Sequence, residues 1–283
     1  MLKFVVLADI HLVPAGQLSH GLDTYDRLEQ AVSYVNDVHS DAEFVVFAGD
    51  LADHGEAEAY ARLQTAISPL KPKSFLTLGN HDHRPTFLEQ FERQAHPETG
   101  CIDHVIDAGG YRTIVLDSSE PDLSGSGRLT SAQITWLQKC LAEVPETPVV
   151  IVLHHNIAPF SVQTDFIILE DNAAFADVLS EHTNVRQVIS GHVHMTTSGV
   201  YKGISFCTFA GAHYSIEPMS IARSGPVPNQ NGRYVSPVQR REGPGQLAVV
   251  LCDNDSVVVH MENFLDRHLV LAPDLFAWNQ TAS

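Results

Sequence analysis

No stretch of this 283-residue chain approaches the roughly 20 consecutive apolar residues that a membrane-spanning helix requires, so no membrane partner is expected. The opening apolar run, Leu2–Ala8, is interrupted by Asp9 and His11 before it reaches the length of a signal peptide. It reads as the first strand of a cytoplasmic protein. Cysteine is scarce. Cys101, Cys140, Cys207 and Cys252 are scattered and make no C-x-x-C pair, which argues against a thiolate metal site or a redox motif and leaves buried free thiols. Positive charge is also short: 17 Lys and Arg stand against 34 Asp and Glu, for a net charge of −17. Most of such a surface repels a polyphosphate, so a nucleic-acid polymer is not an expected partner. There is no internal repeat and no low-complexity tract.

Histidine, by contrast, is abundant, with 16 copies. Imidazole is the commonest metal ligand and the usual proton carrier near neutral pH. Strand-length hydrophobic runs recur at Lys3–Ala8, Phe44–Ala48, Ser74–Leu78, Arg112–Leu116, Val149–Leu153, Gln187–Ser190, Ile204–Phe209, Leu247–Leu251 and Ser256–Met261. Most are apolar on both faces, as in a buried sheet. Helical stripes lie between them: Leu28, Ala31, Val32 and Val35; Tyr60, Leu63, Ile67 and Leu70; Ile134, Leu137 and Leu141; and Phe175, Val178 and Leu179. The third helix opens on Thr130-Ser-Ala-Gln133, the pattern of a capping box. Strands alternating with helices predict a layered α/β sandwich, and the last two runs predict a terminal antiparallel hairpin.

Residues 1–283 are read as a single domain. His213–Gly245 breaks the pattern, with five prolines, four arginines and little periodicity. A loop of that length in a compact domain is usually functional, so residues 213–245 are expected to form a cap or a subunit contact.

Five short motifs stand at or just beyond the C-terminal ends of hydrophobic runs: Asp9-Ile-His11, Gly49-Asp50-Leu-Ala-Asp53, Gly79-Asn80-His81-Asp82, His154-His155 and Gly191-His192-Val193-His194. Sites in open α/β sheets form at the carboxyl ends of strands, so parallel strands would bring all five together. An Asp-x-His pair leaving a strand end can point both side chains at one ion, and one carboxylate at Asp50 can bridge two. The adjoining glycines let the backbone turn sharply beside them. A nitrogen and oxygen ligand set without thiolate suits Mn, Fe, Zn, Co or Ni. Each motif alone has a bland reading as turn chemistry or a satisfied histidine pair, but their joint occurrence at strand ends does not. Gly125-Ser-Gly127-Arg128 lacks both dinucleotide and P-loop spacing and reads as a connecting loop, and Asp165–Asp171 reads as a loop or helix entry.

In this order the five motifs resemble those of the calcineurin-like metallophosphoesterases, over roughly Lys3 to His194. The chain looks most like bacterial class III cyclic-nucleotide phosphodiesterases and the related glycerophosphodiesterases. One departure is Asn156-Ile157 after the paired histidines, where these enzymes often carry prolines. The resemblance implies a four-layer α/β/β/α sandwich with mixed sheets. It also implies two divalent transition-metal ions (Mn, Fe, Zn or Co), one held by Asp9, His11, Asp50 and His194 and the other by Asp50, Asn80, His154 and His192. The reaction implied is hydrolysis of a small phosphodiester by a metal-activated hydroxide, with a phosphomonoesterase or nucleotidase as the alternative. His81 then corresponds to the residue that binds phosphate and protonates the leaving group, with Asp50 as its catalytic partner at the metals. Asn80, His81 and His213 are expected to face the substrate, and Asp82 or Asp53 to orient the metal-bound imidazoles. A homo-oligomer is expected as well.

Overall fold

The computed structural model describes residues 1–92, 94–120, 122–123, 125–217, 227–228, 234–235, 238 and 240–265. Most of residues 213–245, and with them the expected cap or subunit contact, lie outside the described residues.

Two mixed sheets carry the fold. The first contains β1 (Leu2–Leu7), β2 (Phe44–Ala48) and β3 (Lys73–Thr77), which are parallel, and β14 (Gln246–Cys252) and β15 (Val257–Asn263), in the order β15-β14-β1-β2-β3. β14 runs antiparallel to both β1 and β15, so the β14–β15 hairpin builds one edge of the sheet beside β1. The second contains β4 (His104–Ala108), β5 (Tyr111–Leu116), β6 (Val149–Leu153), β7 (Val185–Ser190), β8 (Thr197–Tyr201) and β9 (Ile204–Thr208), in the order β4-β5-β6-β7-β9-β8. Here β5, β6, β7 and β9 are parallel, and the edge strands β4 and β8 are antiparallel. Four short strands, β10 (Tyr214–Ile216) paired with β13 (Arg240–Glu242) and β11 (Val227–Pro228) paired with β12 (Tyr234–Val235), make two small ribbons.

The layers follow from the period of two along each strand. In β1, Phe4 and Val6 pack with Val150 and Val152 of β6 between the two sheets, whereas Val5 and Leu7 turn outward. Those outward residues meet α1 (Thr24–Val38), α2 (Ala57–Ile67) and α3 (Arg84–Gln90) through Leu28, Val35, Tyr60, Leu63 and Phe87. On the far side, Val149, Ile151 and Leu153 of β6 meet α4 (Ser131–Ala142) and α5 (Asn172–Ser180) through Trp136, Leu137, Phe175 and Leu179. The result is the expected α/β/β/α order. α4 opens on the capping box, Thr130 and Gln133 each bonding the other's backbone amide. The four cysteines are buried and free. No helix among the described residues is long and apolar enough to cross a membrane.

Both sheets point the C-terminal ends of their central parallel strands to one edge of the sandwich. The chain leaves β1 at Asp9, β2 at Asp50, β3 at Asn80, β6 at His154 and β7 at His192.

Candidate metal centre

At three of those five strand ends, after β1, β2 and β7, the backbone takes an uncommon turn. Asp9, His11, Asp50, His192 and His194 all have positive φ, at 56°, 49°, 51°, 69° and 49°. Such a conformation costs a non-glycine residue about 1–3 kcal/mol, although Asp and His tolerate it better than most, and it clusters at functional sites. Beyond the strands the β1–β2 ladder continues, with Asp9 N donating to Gly49 O at 3.1 Å and His11 N to Asp50 O at 2.8 Å. The left-handed turns keep this ladder intact while swinging the carboxylates and imidazoles inward. His192 N donates to Asp9 Oδ1 at 3.0 Å, which ties the second sheet's loop to the first.

Each imidazole is fixed by an acceptor on its outer nitrogen. His11 Nδ1 donates to Asp53 Oδ1 at 2.9 Å, His154 Nδ1 to Ala48 O at 2.9 Å, His192 Nε2 to Ile167 O at 2.8 Å, and His194 Nδ1 to Tyr214 O at 2.9 Å. A carbonyl or carboxylate cannot donate in return, so these bonds set the tautomers and leave the inner nitrogen of each neutral ring as an acceptor. Those inner nitrogens meet in pairs. His11 Nε2 lies 3.2 Å from His194 Nε2, and His154 Nε2 lies 3.2 Å from His192 Nδ1. Asp50 Oδ2 sits between the pairs, 3.5 Å from His11 Nε2 and 3.3 Å from His154 Nε2, while Asp9 Oδ1 is 3.3 Å from His194 Nε2.

Electrostatics separates the two pairs. Burial holds the pKa of both His11 and His194 below its ordinary value. Two neutral imidazoles therefore face each other lone pair to lone pair, an arrangement that only a cation satisfies. His192 is pushed down to about 3 by burial and by the neighbouring His154 charge. His154 goes the other way, up to about 9. Burial opposes its charge, but the carboxylates of Asp50 and Asp9 outweigh burial. There a proton occupies the place a metal would take. Asn80 Oδ1 is buried without a hydrogen-bond partner, an oxygen also free for a cation. The donors present thus fit metal ions.

The surroundings differ in detail from the sequence reading. Asp53 does orient His11. Asp82 contacts no metal-facing imidazole; its carboxylate accepts from Leu51 N, Ala52 N and Gly79 N at 2.9–3.1 Å and from Tyr60 Oη at 3.0 Å, clamping the Asp50 loop to the Asn80 turn. Burial and the Asp50 charge raise it to about 6. A side chain on Gly79 would place its Cβ 2.3 Å from Asp50 Oδ1, so only glycine allows that approach. His81 is partly exposed at the mouth, with Nδ1 donating to Asp53 O at 2.7 Å and Nε2 left for a ligand. His155 is buried behind the centre, its Nδ1 2.8 Å from Ser118 Oγ and its ring against Gly127. The Gly125–Arg128 segment is thus a connection packed on a histidine. His213 is buried beside His11, with ring centroids 4.9 Å apart, and donates from Nε2 to Ser19 O at 3.1 Å.

Residues without any motif hold the frame. Arg27 of α1 reaches Ala212 O, His213 O and Gly243 O at 2.6–2.8 Å, fixing the stem of the β10–β13 ribbon that supplies Tyr214 O to His194. Arg84, just after the Asn80–Asp82 turn, pairs with the fully buried Asp117 at 2.8 Å. Nothing in their sequence context marks either one.

The model of the calcineurin-like phosphoesterase family matches residues 2–196, the span that contains every strand end described above. The chain belongs to the calcineurin-like phosphoesterase family. It is a metal-dependent phosphoesterase, and its fold is that of the family. It is 30% identical over 269 residues to a probable cyclic nucleotide phosphodiesterase of Rhodopseudomonas palustris, covering 93% of each chain. A cAMP/cGMP dual specificity phosphodiesterase of Mycobacterium tuberculosis is 31% identical over 225 residues, 77% of this chain and 70% of the relative. Among solved structures, a dimetal phosphatase from Danio rerio superposes with a TM-score of 0.66 over 93% of this chain and 96% of the other, at 15% identity.

Proposed function

We propose that the protein is a dinuclear-metal phosphodiesterase for small diesters, with cyclic nucleotides as the leading substrate class and glycerophosphodiesters as the second. The observation that carries this reading is the pair of facing imidazole couples, His11–His194 and His154–His192, joined through Asp50 Oδ2. One ion would be held by Asp9, His11, Asp50 and His194, the other by Asp50, Asn80, His154 and His192. When bound, two divalent ions supply a hydroxide nucleophile at neutral pH and neutralise the phosphoryl oxygens.

The chain's own groups do the rest. Two buried carboxylates, Asp9 and Asp50, offset the charge of the ions without cancelling it, so the pocket attracts an anion despite the acidic surface. His81 hangs over the mouth, its Nδ1 anchored on Asp53 O, with Nε2 placed to bind a phosphoryl oxygen and pass a proton to the departing alkoxide. General acid help of this kind contributes about 10²–10⁴-fold. Asn80, adjacent to His81, presents its unpartnered Oδ1 inward. The choice of diester over monoester rests on the names of the relatives. Turnover of 3′,5′-cyclic AMP and of aryl mono- and diesters with Mn²⁺ tests it: faster diester hydrolysis is expected, and monoester turnover equal to or above diester turnover contradicts it. The protein is further proposed to act in the cytoplasm and as a homo-oligomer, which sedimentation at micromolar concentration would check.

A further inference from the structure

The metal-facing groups leave one side of the mouth unexplained. Tyr214, whose carbonyl orients His194, also stacks its ring on the His194 imidazole, with centroids 4.0 Å apart and planes within 7°. The other face of the tyrosine ring is taken by the Arg240 guanidinium, whose Cζ lies 5.1 Å from the centroid. His20 meets the same ring edge-on, with centroids 5.2 Å apart. Arg240 and His20 are both exposed. Among the described residues no carboxylate pairs with Arg240, although its neighbour Arg241 pairs with Glu217 at 2.7 Å. In a chain with a net charge of −17, an unpaired cation two ring-layers from a metal-facing imidazole is an exception.

The His20 backbone is built for display. It takes a left-handed conformation at φ 48° in a short turn closed by the Ser19–Leu22 bridge. Both ends of that turn's support come from the centre: Ser19 Oγ donates to Asp53 Oδ2 at 2.9 Å, and His213 Nε2 donates to Ser19 O at 3.1 Å. The turn is therefore rigidly tied to the residues behind His11, while the imidazole it carries is left open to solvent. Positive φ at a non-glycine residue, held in place by the site beneath it, is a signature of a functional position.

We propose that Arg240 and His20, set around Tyr214, form a subsite for the planar base of a nucleotide substrate whose phosphate sits at the metal centre. The inference rests on the phosphodiesterase reading above. Guanidinium and imidazole planes stack on nucleobases and offer them edge hydrogen bonds, and the spacing of one tyrosine ring between His194 and Arg240 suits a group held beyond the phosphate. A neutral His20, held below its ordinary pKa by burial and by the Arg240 charge, both donates and accepts. His213 then serves this subsite from behind, by supporting the turn.

The test compares a diester that has a base with one that has none. For 3′,5′-cyclic AMP, Arg240→Ala and His20→Ala are each expected to raise KM about 5- to 100-fold. For ethyl 4-nitrophenyl phosphate the same variants should change kcat/KM by no more than about twofold, which also shows that they fold and load metal. Parallel losses on both substrates, or no change on either, overturn the subsite. A wild-type enzyme that hydrolyses the aryl diester but not cyclic AMP overturns the subsite and leaves the phosphodiesterase reading standing. A wild-type enzyme inactive on both diesters overturns the reading itself, and the subsite with it.

Discussion

His11 Nε2 and His194 Nε2 lie 3.2 Å apart although neither carries a proton to share. Each imidazole has committed its N–H elsewhere, His11 to Asp53 and His194 to the Tyr214 carbonyl. Burial lowers the pKa of both rings, so protonation does not relieve the contact. Two buried acceptors left facing each other are costly unless a cation sits between them. Asp9 and Asp50 stand close enough to share such a cation, whereas at His154 and His192 a proton on His154, held by the Asp50 and Asp9 carboxylates, fills the corresponding place.

Gly79→Ala should disrupt the centre without altering a ligand. Its Cβ would fall 2.3 Å from Asp50 Oδ1, 2.6 Å from Asp50 N and 2.7 Å from His154 Cδ2. Asp50 N is backbone, and the Asp50 and His154 side chains are both buried, so the Asp50 loop and its carboxylate must move. Metal affinity is expected to fall by at least about 10-fold, the scale on which displaced supports of metal ligands are felt. Titration of the metal-free variant with Mn²⁺ measures this; wild-type affinity contradicts it.

His81→Gln separates chemistry from metal binding. The glutamine keeps a hydrogen-bonding tip at the mouth but cannot give up a proton to an alkoxide. A loss of about 10²–10⁴ in kcat on an alkyl diester is expected, with metal content unchanged. For a substrate with a 4-nitrophenolate leaving group, which needs no proton, the loss should shrink. Equal losses on both leaving groups would show that His81 works through binding alone.

Glu262 provides a pH-dependent contribution to stability far from the metals. Its carboxylate accepts from Tyr34 Oη at 2.8 Å and from His39 Nε2 at 2.8 Å, joining β15 to α1. Burial opposes ionisation, but these bonds and the His39 charge hold the pKa below its ordinary value. A depressed folded-state pKa means that the stabilisation is present above the unfolded value of 4.5 and is lost as pH falls through the folded value. Urea unfolding of wild type and Glu262→Gln should show a difference at pH 7 that narrows steadily below pH about 4.5. A gap that widens on acidification contradicts this sign.

Much of this was legible in the chain. Each of the nine hydrophobic runs overlaps a strand, because strands buried on both faces write their position as continuous Val, Ile and Phe. β4 and β8 escaped notice for the opposite reason: they are edge strands, and β8, Thr197–Tyr201, is largely exposed and holds little apolar content. α3 is short, has a proline as its second residue, and buries only Phe87. The residues of the candidate metal centre were legible because metal-ligand chemistry calls for particular side chains, and these stand at strand ends. Of the groups that orient them, Asp53 was legible but the other three were not, since Ala48, Ile167 and Tyr214 act through backbone carbonyls that any residue supplies. Asp82 carried the right chemistry for orienting a histidine, yet the turn geometry gives it backbone amides instead. Arg27 and Arg84 became visible only once the topology brought distant loops beneath them.

Metal stoichiometry tests the central claim most directly. Inductively coupled plasma mass spectrometry on wild type, His194→Ala and Asp50→Ala, each loaded with Mn²⁺ and desalted, counts the ions per chain. Two facing imidazole pairs bridged by one carboxylate predict about two ions in wild type, about one in His194→Ala and fewer than one in Asp50→Ala. Wild type holding a single ion, or Asp50→Ala holding as many as wild type, contradicts the dinuclear centre.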